Sequence, residues 1–420
     1  MKLRELWRFL VSRYLVVSSV PLLVAQGVTI VLGLGRNTIL TNFLSKEDFG
    51  ALNYLTGWLA LISLLSLPGL SAAIAQYVAR GHWEAIRLGI RRRLLAGLLP
   101  MLVLVVFGLT RFGADQNGLL PIVWLLTALF FPAAHVLTLV GNILSALKRF
   151  RWLAGYQVGQ SAAFLAAAAI GVWAWSFQPL AGIVLFQWLL LSGLNISFLT
   201  KVGRVKGEYE HQPLLSPQRK QFYRFGTHLT ALIAIGQIQS RIGALLLGGA
   251  VSLAALADYA IGDIFFEQMR SLWNLYYSVS YPRLITLNKR DRWRQVARET
   301  KMVTPAFTIL TGLIGIALSF IIPWLFSAKY ASSLIYVWIL LLAFICSIPG
   351  GFFEIYFQIE EVQQALYHIR LTAALVGVVL PPLLLLVWGP LGIPLSRVVA
   401  NLVYSATGFI LYYRQKDRVI

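Results

Sequence analysis

Four arginines lie inside apolar stretches that are long enough to cross a bilayer. They are Arg36, Arg241, Arg270 and Arg397. An arginine in the middle of a membrane helix costs about 2.5–3.5 kcal/mol on insertion scales, so its side chain usually faces a partner or a water-filled cavity. A guanidinium group stays charged and donates paired hydrogen bonds to carboxylate or phosphate oxygens. These positions therefore predict either internal ion pairs or a binding site for an anionic substrate.

Neutral polar and aromatic side chains accompany the arginines. Gln26 lies on the helical face of Arg36, and Gln237 precedes Arg241 by one helical turn. Such side chains are suited to the walls of a water-filled cavity. Besides the arginines, the candidate substrate contacts are Gln26, Asn53, Tyr54, Gln237, Tyr259 and Asn274.

One apolar stretch also carries a continuous polar stripe. Its members, spaced by three or four residues, are Tyr259, Asp263, Glu267, Arg270, Asn274 and Tyr277. A polar stripe along a membrane helix must face protein or water. Two interpretations remain open for the acidic residues: they bind a coupling ion, H⁺ or Na⁺, or they neutralise arginines, as Asp258 could for Arg241 and Glu267 for Arg270. The candidate coupling residues are Asp258, Asp263, Glu267 and Glu354.

The composition predicts an all-α polytopic membrane protein. Of 420 residues, 58% are hydrophobic and 12% charged, against roughly 25% charged in a soluble domain. Apolar segments of about 20 residues, the length that crosses a bilayer as a helix, recur from end to end. A membrane β-barrel would show alternating segments of about 10 residues instead. The basic N-terminus resembles a signal peptide, but apolar sequence continues to Leu40 without a cleavage-like break, so we expect it to be retained.

Twelve spans are expected, at about 15–43, 50–79, 93–112, 119–147, 152–176, 179–201, 224–249, 253–282, 301–326, 332–358, 370–388 and 390–412. Lysine and arginine concentrate at both termini and in the loops after even-numbered spans, whereas the other loops hold essentially Lys46 and Lys329. The terminal residues are Lys2, Arg4, Arg8, Arg13, Arg414, Lys416 and Arg418. The positive-inside rule then places both termini in the cytoplasm. The net charge of +20 is explained by topology, so nucleic acid is not an expected partner.

An internal repeat divides the chain. An offset of 205 residues places Arg36 on Arg241 and Tyr54 on Tyr259 without a gap. The sequence therefore predicts two pseudo-symmetric six-helix lobes around a central cavity, related as a parallel repeat. The predicted boundaries are 1–202 for the N-terminal lobe, 203–223 for a cytoplasmic linker and 224–420 for the C-terminal lobe.

Further sequence features bear on mechanism. Pro68-Gly69 predicts a break in the second span, as a hinge or a passive kink. A static kink is expected at Pro381-Pro382.

No Gly-x-x-x-x-Gly-Lys-Ser/Thr motif occurs, so ATP hydrolysis is not expected. The single cysteine, Cys346, excludes an intrachain disulfide and a cysteine metal cluster, and no cofactor is expected.

Three segments in the first 85 residues resemble the first hairpin of polysaccharide (O-antigen-type) repeat-unit flippases. The segments are LTNFLSKEDFG (residues 40–50), LLSLPGLSAA (64–73) and AQYVARG (75–81). This family is part of the multidrug/oligosaccharidyl-lipid/polysaccharide (MOP) exporter superfamily. The resemblance implies twelve to fourteen helices in two lobes around a V-shaped cavity. Arg36 matches an arginine that the family places in the cavity.

The resemblance also implies a function. It implies a non-enzymatic flippase of the bacterial cytoplasmic (inner) membrane, which moves polyprenyl-pyrophosphate-linked oligosaccharide to the outer leaflet by alternating access. The implied partners are this lipid-linked oligosaccharide, membrane lipid, a glycan polymerase and glycosyltransferases. Twelve spans lack the two extra helices of the lipid II branch. The alternatives are a multidrug or toxin antiporter of the same fold, which would need net acidic walls for cationic drugs, and a membrane glycan polymerase or ligase.

Overall fold

The computed structural model describes residues 13–111, 119–175, 178–205 and 214–415. Within these ranges the chain forms fourteen α-helices and no strand. They are α1 (Arg13–Phe43), α2 (Lys46–Ile62), α3 (Gly69–Ala79), α4 (Glu84–Arg111), α5 (Leu119–Ala134), α6 (Val140–Ala146), α7 (Phe150–Ala174), α8 (Pro179–Val205), α9 (Ser216–Leu246), α10 (Leu253–Ile285), α11 (Lys289–Leu325), α12 (Ser333–Ile359), α13 (Gln363–Trp388) and α14 (Gly392–Arg414). The basic terminal residues 1–12 and 416–420, and residues 206–213 of the predicted linker, lie outside the described residues.

These helices form twelve membrane-length segments, because α2 with α3 and α5 with α6 each make one interrupted span. Ten described segments are both long and apolar enough to cross a membrane, and the stretch Gln363–Arg414, which contains α13 and α14, counts as one of them. Helix α10 is long enough but carries the polar stripe. The predicted all-α fold with twelve spans is confirmed. Helix α9 begins at Ser216, inside the range 203–223 predicted as a linker.

The chain packs as two compact units. The first contains the described residues up to Leu44 and Leu59–Ala234, and the second contains Ser45–Trp58 and the described residues from Ile235 onward. The first part of the second span thus packs with the second unit, and the first part of α9 packs with the first unit. The lobe boundaries at 202 and 224 stay a prediction.

The two units repeat the same internal helix pairings. In the first unit the third span packs on the fourth (α4 on α5), the fourth on the sixth (α5 on α8) and the fifth on the sixth (α7 on α8). In the second unit the corresponding pairs are α11 with α12, α12 with α14 and α13 with α14. Because both the sequence repeat and the pairing order agree, the chain is built from two pseudo-symmetric sets of six spans.

The second span breaks at the predicted place. Helix α2 ends at Ile62, one 3₁₀ turn follows over Ser63–Ser66, and Leu67 adopts a left-handed conformation with φ 56° before Pro68. A second break, which the sequence analysis did not predict, interrupts the fourth span at His135 and the 3₁₀ turn Val136–Leu139. By contrast, α13 continues through Pro381-Pro382. A helix break inside a bilayer exposes backbone carbonyls that need new donors.

Arg93 on α4 supplies those donors to both breaks. Its side chain is buried, with 3% of the residue exposed. The Nε atom donates to the Ser66 carbonyl at 3.3 Å, and Nη1 donates to the Ser71 hydroxyl at 2.6 Å and to the Val136 carbonyl at 3.1 Å. These acceptors are all neutral. Arg93 therefore uses its fork of donors to tie two interrupted spans together.

We expect Arg93→Met to destabilise the protein by about 2 kcal/mol or more, because it leaves buried carbonyls without donors. The thermal unfolding midpoint of the purified protein in detergent measures this change. Arg92→Met is the matched control, since Arg92 is the exposed neighbour on the same helix. Equal midpoints for the two variants would contradict the bridging role.

Candidate functional site

Arg36 projects from α1 without an acidic partner. No carboxylate lies within ion-pair distance of it among the described residues, and its buried Nε atom has no hydrogen-bond partner. The guanidinium carbon lies 5.3 Å from the ring centroid of Phe164 on α7, a cation–π distance that compensates only part of the lost solvation. Thr29, two turns earlier on α1, also has a buried hydroxyl without a partner. This face of the first span carries unused donors and an unneutralised charge.

Arg241, in the second unit, also lacks an acidic partner among the described residues. Its Nε atom is buried without a hydrogen-bond partner, and so is the side-chain oxygen of Gln237 one turn earlier on α9. The alternative pairing with Asp258 does not form. Asp258 instead forms an ion pair with Lys46 at 2.8 Å and accepts a hydrogen bond from the Ser332 hydroxyl at 3.0 Å. The two arginines that the repeat superimposes thus both lack an acidic partner within the described chain.

Arg397, in contrast, is neutralised by the polar stripe on α10. Its Nη1 atom donates to Asp263 and, at 3.2 Å, to the Tyr259 hydroxyl, while Nη2 lies 3.3 Å from Glu267. The guanidinium carbon also lies 3.8 Å from the ring centroid of Phe266. Spacing along the chain does not indicate this pair, because Asp263 is 134 residues away from Arg397. Helices α10 and α14 both pack on α12, and this shared neighbour brings the pair together.

Arg270 is paired within α10 itself. Its Nη1 atom lies 3.4 Å from Glu267 Oε1, one turn away, and both side chains are about half exposed. This is the pair that the sequence offered as the alternative to a substrate contact. An exposed pair of this kind contributes little stability. With Arg397, Asp263 and Glu267, it makes the charged part of the stripe neutral overall.

Glu354 anchors a second polar cluster in the second unit. It accepts hydrogen bonds from Arg370 Nε at 3.1 Å, from the Tyr404 hydroxyl at 2.5 Å and from Gln358 Nε2 at 2.9 Å. The Tyr277 hydroxyl of the stripe donates to Gln358. Sequence reasoning did not assign a site role to Arg370, Tyr404 or Gln358, which come from three different helices.

The remaining candidates divide into packing residues and accessible ones. Tyr54 and Tyr259 are 8% and 3% exposed, and Tyr54 packs against the Gly248-Gly249 backbone. The Asn53 amide donates to the Phe49 carbonyl of its own helix at 2.8 Å. Asn274 is exposed, and Gln26 is half-buried. In this conformation the two tyrosines support helix packing, and the side chains of Gln26 and Asn274 keep accessible surface. The side-chain oxygen of Gln237 is buried.

The candidate ion-coupling residues are all engaged. Asp258, Asp263, Glu267 and Glu354 each form an ion pair with a lysine or arginine. Among the described residues, no three histidine, cysteine, aspartate or glutamate side chains stand close enough to hold a metal ion. A coupling ion at these carboxylates would have to displace a cationic side chain.

A family model gives the family of this chain, and solved structures support its fold. A family model described as polysaccharide biosynthesis protein matches residues 16–288. Among solved structures, the chain is similar to "Lipid II flippase MurJ, inward closed conformation", with a TM-score of 0.73 and 12% identity over 92% of this chain and 86% of that chain. No match is found among the curated proteins.

Two MATE transporters are also similar in structure. An inward-facing MATE family transporter of the MOP superfamily has a TM-score of 0.62 and 13% identity, over 93% of this chain and 95% of that chain. A MATE transporter of Vibrio cholerae has a TM-score of 0.59 and 16% identity, over 96% and 98%. At these identities the likeness shows the fold alone.

A double-mutant cycle tests the Arg397–Asp263 pair. We expect Arg397→Gln and Asp263→Asn each to lower the thermal unfolding midpoint. The first leaves Asp263 without its cation, and the second leaves Arg397 with only the longer contact to Glu267. The combined variant should recover part of the loss, with a coupling of about 1–3 kcal/mol, as for residues in contact.

Asp263→Asn combined with Arg219→Gln is the matched control. Arg219 pairs with Glu84 in the first unit at 2.5 Å, so these two effects should add. Additivity in the Arg397–Asp263 cycle as well would mean that Arg397 is not held by Asp263.

Proposed function

Because the chain belongs to the polysaccharide biosynthesis protein family, we propose that it is a flippase for polyprenyl-pyrophosphate-linked oligosaccharide units. In this proposal the substrate moves from the cytoplasmic to the outer leaflet of a bacterial inner membrane by alternating access. The chain is a multi-pass membrane protein with the fold of MOP-superfamily transporters, which supports a transport role. Both termini are proposed to be cytoplasmic, on the distribution of lysine and arginine.

The observation that carries the proposal is the contrast between two pairs of arginines. Arg270 and Arg397 are neutralised by acids of α10, but Arg36 and Arg241 have no acidic partner within the described chain and keep a buried Nε donor unused. Equivalent positions in a repeat thus hold two uncompensated positive charges at membrane depth. A pyrophosphate supplies the missing negative charge and several acceptor oxygens, and arginine binds such oxygens through paired donors.

The rest of the substrate places different demands on the protein. Sugar hydroxyls need hydrogen-bonding side chains in water, for which Gln26, Gln237 and Asn274 are the proposed contacts. The polyprenyl tail needs only lipid, so no dedicated polar group is required for it. Glycosyltransferases that build the unit and a polymerase that consumes it are the proposed partner enzymes.

The charge distribution disfavours the drug-antiporter alternative. A cationic drug needs unpaired acids, and Asp258, Asp263, Glu267 and Glu354 are all ion-paired. Coupling to H⁺ or Na⁺ remains a proposal for these four acids, and it requires that an ion pair opens during the transport cycle. A glycan polymerase or ligase is distinguished by covalent change of the glycan, which a flippase does not cause.

We expect Arg36→Gln and Arg241→Gln each to lower the initial flipping rate about tenfold or more. One hydrogen-bonded charge contributes roughly 1.5–3 kcal/mol, and about 1.4 kcal/mol corresponds to a factor of ten. The assay uses proteoliposomes with a fluorescent short-chain prenyl-pyrophosphate oligosaccharide, and it measures protection of the label from a membrane-impermeant quencher. Arg36→Lys and Arg241→Lys should retain an intermediate rate, because they keep the charge but lose the paired geometry.

Lys220→Gln is the matched control, since Lys220 is exposed and should leave the rate unchanged. Normal flipping by both glutamine variants, at unchanged thermal stability, would refute the anion site. Transport of a cationic dye in place of the pyrophosphate would support the antiporter instead.

A further inference from the structure

A mostly apolar slot lies between α11, α12 and α14 in the second unit, and the flippase proposal does not use it. Its volume is about 370 Å³, within the range of small-molecule sites. Pro349 and Phe353 of α12 and Leu402, Phe409 and Tyr413 of α14 form the apolar wall, and Lys301 of α11 lines one side. Leu402 and Phe409 are each 50% exposed, so the slot is open at the surface of the second unit.

Neighbouring contacts hold the walls of the slot. The Trp293 ring stacks on Tyr412 at a centroid distance of 5.2 Å, and the Tyr412 hydroxyl donates to the Trp293 carbonyl. These contacts fix α11 against α14 at one end of the slot. Ser405, the polar residue on the α14 wall, already donates to the Cys346 carbonyl at 2.5 Å and accepts from the Gly350 N–H at 2.9 Å. The interior therefore offers apolar surface rather than free hydrogen-bonding groups.

Four basic residues, here called the basic rim, lie on or close in sequence to the slot, and one of them, Lys301, lines it. Arg294, Arg298 and Lys301 follow one another on α11 at a spacing of four and three residues, which places them on one helical side, and Arg414 follows Tyr413 on α14. All four are exposed, and none forms an ion pair within the described residues. Two acids lie near these residues in sequence. Glu299 is 7% exposed and is occupied by Tyr276, Gln295 and Arg283, and Asp291, three residues before Arg294, accepts a hydrogen bond from Asn288 Nδ2 at 2.8 Å. The rim thus keeps a positive charge that the protein does not neutralise.

We propose that this slot binds an anionic phospholipid, with an acyl chain against the apolar wall and the headgroup phosphate against Lys301 and Arg298. The membrane is the surrounding solvent of the exposed helix faces, so lipid is always available to the opening. Basic pockets between membrane helices attract anionic headgroups, whereas a zwitterionic lipid gains little from the rim. On the positive-inside prediction the slot faces the cytoplasmic leaflet. This lipid is a bound partner of the second unit and not the transported substrate.

Native mass spectrometry of the purified full-length protein in detergent tests the proposal, with phosphatidylglycerol and phosphatidylcholine of identical acyl chains as probes. We expect phosphatidylglycerol to remain bound at least tenfold more than phosphatidylcholine. The double variant Arg298→Gln/Lys301→Gln should remove about tenfold of this retention. Ala406→Trp, which fills the slot from α14, should lower it as well. Arg290→Gln, an exposed change near the start of α11, is the control and should retain phosphatidylglycerol.

Three results would overturn the proposal. Equal retention of the two phospholipids would show that the rim does not select charge. Unchanged retention in the double variant would place the lipid elsewhere, and the double variant changes only exposed side chains, so it serves even where the tryptophan variant fails to fold. Displacement of phosphatidylglycerol by a short prenyl pyrophosphate, lost in the double variant, would assign the slot to the isoprenoid substrate instead. A flippase defect in Arg36 or Arg241 variants leaves this test unaffected.

Discussion

An unpaired charge inside a membrane is energetically unfavourable. The structure of this protein depends on which groups compensate the charge of each buried arginine. Arg93 is compensated by neutral acceptors in the two interrupted spans: the Ser66 carbonyl, the Ser71 hydroxyl and the Val136 carbonyl. Arg397 is neutralised by ion pairs with Asp263 and Glu267. Arg36 and Arg241 have no acidic partner within the described chain, and their buried Nε atoms have no hydrogen-bond partner. Because water and ligands are the remaining sources of compensation, the last two mark where the protein needs something from outside itself.

Arg93 also explains how the two helix breaks are stabilised. A break in the second span and another in the fourth expose carbonyls near each other, and a hydrocarbon environment offers them no donors. Arg93, placed on the span between them, satisfies both with one side chain. A single arginine therefore supplies donors to two irregular segments and joins them.

Two regions of the second unit differ in their net charge. The α10 stripe balances acids against arginines and stays neutral, whereas the rim formed by Arg294, Arg298, Lys301 and Arg414 makes no ion pair within the described residues. Balanced charges hold helices together, and unbalanced ones at a helix end attract anionic lipid. In the two proposals, substrate binding uses Arg36 and Arg241, whereas lipid contact uses Arg298 and Lys301.

The sequence by itself determined the class of fold, the twelve spans, the break at Pro68 and the equivalence of Arg36 with Arg241, because hydropathy, proline chemistry and repeats are local or periodic signals. It also contained the Glu267–Arg270 pair, whose partners lie one turn apart. Only the tertiary structure decided which arginines are neutralised. The pairs of Arg397 with Asp263, Arg370 with Glu354 and Lys46 with Asp258 join different helices, and their formation depends on how those helices pack, which hydropathy and spacing do not specify.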